Sequence, residues 1–282
     1  RMDEKGGWMK KEDGMRKYLM LLILTACLCF GGCQKKEKTE AAPQRETAAA
    51  KETASTAKTS AAADEEKTTA EKEEKIMVAI DPGHQKEQMT EQEPIGPGAS
   101  ETKPMVSSGT EGVVTGEPEY QVNLEVSMKL KSILEARGYD VYMIRETNDV
   151  KLSNRKRAQM ANGSGASVFL RLHCNSDSSS SANGALTMCP TEANPYCGEI
   201  ASESKRLSSL VGSSLCHRTG ARNRGVIETD QMSGINWCEI PVTIIEMGFM
   251  SNPEEDQKLS DDQYQNRLAE GIAEGVDRYF EE

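Results

Sequence analysis

Ile76-Met77-Val78-Ala79-Ile80-Asp81-Pro82-Gly83-His84 reads as a strand buried on both faces and stopped by a Pro-Gly turn. Ser167-Val168-Phe169-Leu170-Arg171-Leu172-His173-Cys174-Asn175 repeats the pattern, and each run ends on a histidine. The chain has 3 histidines in 282 residues, so two placed alike at the ends of core strands point to a shared site. Strand ends lie at the rim of a sheet, where a rigid scaffold aims side chains at one spot. Two imidazoles there suggest a metal centre.

Outward from these runs, helical and strand patterns alternate. Val122, Val126, Leu130, Ile133 and Leu134 fall at helical spacing and predict a helix over 119–137, closed by Gly138. Residues 139–144 read as a strand, 152–162 as a helix stopped by Gly163, and 184–188 as a further strand. A helix over 199–219, a strand over 242–245 and a helix over 262–280 complete the series. The expected fold is one α/β domain over 76–282, with a mostly parallel central sheet of about five to six strands and helices on both faces. Residues 85–118, rich in Gly, Pro, Ser, Thr and Glu, read as a long irregular loop. A loop of that length within a compact domain is expected to serve function, as a lid or a substrate wall. There is no internal repeat.

Met15-Arg16-Lys17 followed by the apolar run from Tyr18 to Phe30 has the form of a signal peptide. Leu24-Thr25-Ala26-Cys27 and Phe30-Gly31-Gly32-Cys33 both resemble a bacterial lipobox. Residues 1–33 are therefore expected to be a leader with a lipoprotein-type signal, Cys33 being favoured over Cys27 as the lipidated residue. A plain secretory signal or an uncleaved anchor are the other readings. Residues 34–75 are Ala, Glu, Lys, Thr and Ser with almost no large apolar group, the composition of a disordered tether. Aromatics at 5% reflect that segment, and a net charge of −11 argues against nucleic acid as a partner. Past the leader, Cys174, Cys189, Cys197, Cys216 and Cys238 are odd in number and form no C-x-x-C pair, which indicates neither a zinc ribbon nor a disulfide framework. Cys189 and Cys197 read either as a loop-spanning pair or as free thiols. Cys174, adjacent to His173 on a strand, should face away from it.

A catalytic zinc takes three ligands from His and carboxylates and leaves a fourth position open. His84 and His173 supply two. Glu119, starting the first helix straight after the long loop, is the choice for the third. By itself it also reads as a helix-start carboxylate, and Glu117 is a rival from the same loop. Glu246 ends the apolar run Val242-Thr243-Ile244-Ile245-Glu246, where a carboxylate is costly to bury without a partner. Burial should raise its pKa and suit it to take a proton from attacking water and pass it to a leaving nitrogen.

Four blocks carry a resemblance. They are Asp81-Pro82-Gly83-His84, Glu119 with Val122-Asn123-Leu124, Leu170-Arg171-Leu172-His173-Cys174-Asn175, and Ile245-Glu246-Met247-Gly248-Phe249-Met250-Ser251-Asn252. In this order they resemble the zinc-dependent N-acetylmuramoyl-L-alanine amidases, bacterial cell-wall hydrolases, over residue 76 to the C-terminus. Ile144-Arg145-Glu146-Thr147, Ala161-Asn162 and Asn223-Arg224-Gly225-Val226 add minor matches. The resemblance implies that His84, Glu119 and His173 bind Zn2+ and that Glu246 is catalytic. It also implies the bond cut, between the lactyl group of N-acetylmuramic acid and L-alanine of the peptidoglycan stem peptide. Two departures stand out: Gln85-Lys86 and an insertion where the family often has Gly-Gly, and Arg171-Leu172-His173-Cys174-Asn175 where it usually has Ser-Ile-His-Ala-Asn.

Asn175 reads either as a substrate-positioning residue or as a strand-end turn former, and Arg224 as a loop residue near the groove with a role in substrate binding. Arg145 and Arg155 read as ion-pair partners, and His217 as solvent-facing. No serine lies in a G-x-S-x-G elbow, which disfavours Ser-His-Asp chemistry. The expectation is an extracytoplasmic, membrane-tethered zinc amidase acting on peptidoglycan. The rivals are a zinc peptidase on the same scaffold and a catalytically silent wall-binding module. No activator protein can be named from the residues.

Overall fold

The computed structural model describes residues 75–281; the leader, both lipobox cysteines and the tether up to residue 74 lie outside them. Strands β1 (Met77–Pro82), β4 (Asp140–Met143), β5 (Val168–Asn175), β6 (Ala185–Cys189), β7 (Asn223–Glu228) and β8 (Val242–Phe249) form one sheet in the order β4-β1-β5-β8-β6-β7. β4, β1, β5 and β8 run parallel, β6 is antiparallel to β8, and β7 is parallel to β6. Helices α1 (Glu119–Ala136), α2 (Asn154–Asn162), α3 (Ala201–Thr219), α4 (Ser233–Asn236), α5 (Pro253–Leu259) and α6 (Asp262–Glu281) complete the domain. This is the expected α/β architecture with six strands. None of the described helices is long and apolar enough to cross a membrane.

Strand alternation divides the sheet into two faces of different character. Val78, Ile80, Val168, Leu170, Leu172, Cys174, Ile245 and Met247 enter the larger apolar cluster, packed with residues of α1, α3 and α6. Cys174 thus faces away from His173, as the strand pattern requires. Ala79, Phe169, Val242 and Ile244 enter a smaller cluster with Ala158 of α2 and Ile235 of α4. That second face also carries Asp81, Arg171, His173 and Glu246 towards the carboxyl ends of its strands. The chain leaves β1 for β4 on one side and later places β5 on the other, so His84 and His173 flank the point where strand order reverses. Ligands of open α/β sheets bind at that point.

Asp81, Arg157 and Arg171 form a buried charge cluster on this face, at 0, 0 and 2% exposure. Asp81 Oδ1 accepts from Arg157 Nη1 and Oδ2 from Arg171 Nε. Burial works against ionisation of Asp81, but the two guanidinium charges outweigh it and hold its pKa below the ordinary value. Breaking a buried pair from one side leaves uncompensated charge. Asp81→Asn is therefore expected to cost about 3–5 kcal/mol, read as a lowered urea midpoint at unchanged m-value. An unchanged midpoint would show that the cluster contributes nothing to stability.

The structure corrects three readings. Residues 85–118 are not wholly irregular: β2 (Met89–Pro94) and β3 (Thr102–Val106) pair as an antiparallel hairpin. Its strands are polar, Met89-Thr90-Glu91-Gln92-Glu93-Pro94, so no apolar alternation announced them. The hairpin is fixed by buried Ile95 and Val106 and by bonds from Trp237 Nε1 to Pro94 O and from Arg155 N to Glu93 Oε1. Residues 223–228 are an exposed edge strand rather than a loop. Finally, neither Arg145 nor Arg155 is in an ion pair among the described residues. Arg145 donates to the carbonyls of Pro82, Gly83, Tyr120 and Thr147 and to Asn148 Oδ1, and Arg155 stacks on Trp237 at 4.3 Å. The five described cysteines are buried free thiols, with no bridge between Cys189 and Cys197.

Candidate metal centre and active site

His84 follows β1 with φ +59°, the one described non-glycine residue with positive φ. Left-handed backbone at such a residue costs energy and persists where surrounding bonds over-determine it. Here Arg145 Nη2 holds the Gly83 carbonyl at 3.0 Å and Arg157 Nη2 holds the His84 carbonyl at 2.9 Å. Gly83 is required for a steric reason, since a Cβ would lie 2.3 Å from Cε1 of His173. His84 Nδ1 lies 2.9 Å from the Ser107 carbonyl, which can only accept. That bond places the proton on Nδ1 and leaves Nε2 free to coordinate.

Glu119, the first residue of α1, is 3% exposed. Its Oε1 lies 3.2 Å from His84 Nε2 and 3.2 Å from His173 Nδ1, and accepts from Cys174 N at 3.0 Å and Asn123 Nδ2 at 3.3 Å. Oε2 accepts from Thr110 N at 2.9 Å. Burial opposes its charge, but the imidazoles of His173 and His84 beside it prevail and hold its pKa well below the usual carboxylate range. One ligand atom from each of His84, Glu119 and His173 lies within 4.8 Å of the others. Two imidazole nitrogens and an ionised carboxylate converging on one point are the donor set of a zinc site. Glu117 is not part of the cluster.

Glu246 of β8 stands opposite His173 of β5 in the sheet register. One extra residue on β8 breaks the register just beyond it, between His173/Glu246 and Asn175/Phe249. Its Oε2 is buried with no protein partner. Burial, with the Glu119 charge adding to it, pushes its pKa up to about 8, while burial pulls His173 down to about 4. Both line a cavity of about 310 Å³, together with His84, Arg171, Met188 and Ile244. The hairpin (Lys103, Pro104, Ser107) and the 231–234 segment wall it, so the insertion does border the site.

These shifts predict how the metal-free protein responds to pH. Folded Glu246 keeps its proton up to about 8, whereas the unfolded residue loses it near 4.5, so stability falls as pH rises through that window. His173 acts in the opposite sense, adding stability between about 4 and 6.5 as pH rises. Between pH 6.5 and 8.5 the Glu246 slope stands apart from that of His173. In chelator, Tm is expected to drop by several degrees over that range, and Glu246→Gln to flatten the drop. A slope that survives the substitution would assign it to other groups.

The remaining sequence candidates lie apart from this cavity. Asn175 Oδ1 accepts from Ser176 N at 2.7 Å, turning the strand end. Arg224 is exposed, donates to the Asn183 carbonyl and stacks over Phe249 at 5.0 Å. His217 is exposed on α3. Sequence reasoning passed over Ser107, which orients His84, and Arg157, which clamps its backbone. It also gave Arg171 no role, although a charge inside Phe169-Leu170-Arg171-Leu172 was a visible signal.

A mostly parallel sheet whose carboxyl edge gathers a His–Glu–His cluster that could hold a metal ion, with a buried unpartnered carboxyl in the same cavity, defines the class of α/β domain. Within that class the assignment is specific. The chain belongs to the N-acetylmuramoyl-L-alanine amidase family, whose family model matches residues 78–278. It is 30% identical over 162 residues to N-acetylmuramoyl-L-alanine amidase LytC of Bacillus subtilis, covering 57% of this chain and 31% of LytC. It is 31% identical over 164 residues to YqiI of the same organism, covering 58% of this chain and 75% of YqiI. The crystal structure of N-acetylmuramoyl-L-alanine amidase from Clostridium difficile 630 superposes with a TM-score of 0.60 at 29% identity, over 73% of this chain and 97% of that one. The chain therefore spans less than a third of LytC but nearly all of the C. difficile domain.

Proposed function

We propose that this domain hydrolyses the amide joining the lactyl group of N-acetylmuramic acid to L-alanine of the peptidoglycan stem peptide, with zinc held by His84, Glu119 and His173. The observation that carries the reading is the buried, unpartnered Oε2 of Glu246 in the same cavity as the His–Glu–His cluster. Zinc, when bound, supplies Lewis acidity that polarises the scissile carbonyl and lowers the pKa of the attacking water. The chain's residues do the rest. Ser107 fixes the tautomer of His84, and burial keeps His173 neutral and able to donate a lone pair. Glu119 contributes the negative charge. Glu246 Oε2 takes one proton from the attacking water as the C–O bond forms, then returns it to the alanine nitrogen as the C–N bond breaks, leaving a carboxylic acid and a free amine.

The proposal extends to the N-terminal region: a lipoprotein signal over 1–33, lipidation at Cys33 or else Cys27, and a tether over 34–75 holding the domain at the cell membrane, facing the cell wall. Lipid-precursor labelling should mark the protein, and Cys33→Ser should remove the mark. For the reaction, the full chain is incubated with purified peptidoglycan, with and without a chelator. New alanine amino termini without new reducing sugar ends, lost in chelator, are the expected result. Reducing ends would indicate a glycosidase, and no product a wall-binding module; either outcome sinks the proposal.

A further inference from the structure

Beyond the metal cluster, the cavity holds two cationic side chains to which the proposed reaction assigns no role. Arg171 lies two residues before His173 on the same face of β5, so their Cα atoms are about 7 Å apart, and both line the cavity. Its Nε donates to Asp81 and its Nη2 to Asn154 Oδ1 at 2.9 Å, while Nη1 has no hydrogen-bond partner among the described residues. Nη1 passes so close to Gly234 that a Cβ there would lie 1.3 Å from it. Gly234 also lines the cavity, so a backbone without a side chain is what leaves room for the guanidinium in the cavity wall.

The charge count around Arg171 does not close. Asp81 is the one carboxylate bonded to both Arg157 and Arg171, which leaves one positive charge in excess. On the facing wall, Lys103 of β3 lines the same cavity and donates from Nζ to the Gln231 carbonyl at 2.6 Å. A carbonyl satisfies a donor but neutralises no charge, and Lys103 is in no ion pair among the described residues, although Glu93 stands opposite it in the hairpin register. Glu119 is engaged by both histidines, and Glu246, which also lines the cavity, is in no ion pair with either cation among the described residues. Arg171 is 2% exposed, so the excess charge sits where water screens it poorly.

We infer that Arg171 and Lys103 form an anion subsite that takes a free carboxylate of the stem peptide, and so select acidic over amidated substrate. The inference rests on the proposed amide hydrolysis and deepens it. Arg171 neighbours His173 along the same strand and lines the same cavity, so the carboxylate it takes is that of a stem residue close to the scissile bond, the one following the alanine. Arg171 stands where the resembled motif usually has serine, and Lys103 lies on the hairpin inserted after His84. Both halves of the subsite therefore lie where this chain departs from the family pattern.

The test uses two soluble disaccharide–tetrapeptides that differ only in whether the α-carboxyl of the second stem residue is free or amidated. The full chain is expected to favour the free acid by about tenfold or more in kcat/KM, mostly through KM. Lys103→Gln should bring that ratio towards one and Lys103→Glu should invert it. Arg171→Met should act like Lys103→Gln, and the variants of half-buried Lys103 keep the test sound if loss of the arginine destabilises the domain. A wild-type ratio within twofold, or a preference that survives both lysine variants, overturns the subsite while leaving the amidase reading intact. Cleavage of neither substrate overturns both.

Discussion

Glu246→Gln is expected to lower kcat by about 10²–10⁴-fold while metal content stays that of the wild type. The amide is nearly isosteric, so packing along β8 is kept, and Glu246 is not one of the three clustered donors. What is lost is a group able to hold a proton between its removal from water and its delivery to nitrogen. The buried, unpartnered Oε2, in the same cavity as the cluster, is what suits this residue to the proposed acceptor role. With a pKa raised to about 8 in the absence of metal, the carboxyl is matched to proton transfer near neutral pH; a bound cation would draw that value down. Steady-state kinetics beside elemental analysis of the same preparations gives the answer. Near-normal kcat in the amide variant would remove Glu246 from the reaction.

His173→Ala should abolish turnover and metal together. Two donors remain after the substitution, and the space against Gly83 that the imidazole fills is vacated. Glu119 Oε1 then keeps one histidine instead of two. The loss of metal affinity should exceed the 10–100-fold typical of partners that merely support a ligand, because a ligand itself is gone. Competition with a chelator of known affinity measures it. Stoichiometric metal in the purified variant would show that His173 is not a ligand. The contrast separates the residues: one variant keeps metal without activity, and the other keeps neither.

The strands that build the site were legible because a strand buried on both faces is an almost unbroken apolar run. Val78 to Ile80, Val168 to Leu172 and Val242 to Ile245 each announce themselves that way. α1 and α3 were legible from apolar residues at helical spacing. The β2–β3 hairpin and edge strand β7 were not. Both are largely polar, with few buried side chains, and pair through the backbone, which writes no periodic pattern into side chains. α5 left a local signal, Asn252 capping ahead of Pro253 and two glutamates.

The sequence by itself determined the α/β class, the strand ends that carry chemistry, and four residues whose types fit one reaction. Those features are local: an apolar run, a turn, and a histidine or glutamate stranded at its end. Tertiary structure decided what depends on residues far apart in the chain. It brought Glu119 rather than Glu117 onto both imidazoles, and it set Ser107 of the insertion behind His84. It joined Asp81 to Arg157 and Arg171 across 76 and 90 residues, and it brought Lys103 and Arg171 into the lining of one cavity. The physical reason is that strand order and register choose which rim residues meet, and only folding brings separate stretches of chain within hydrogen-bonding distance.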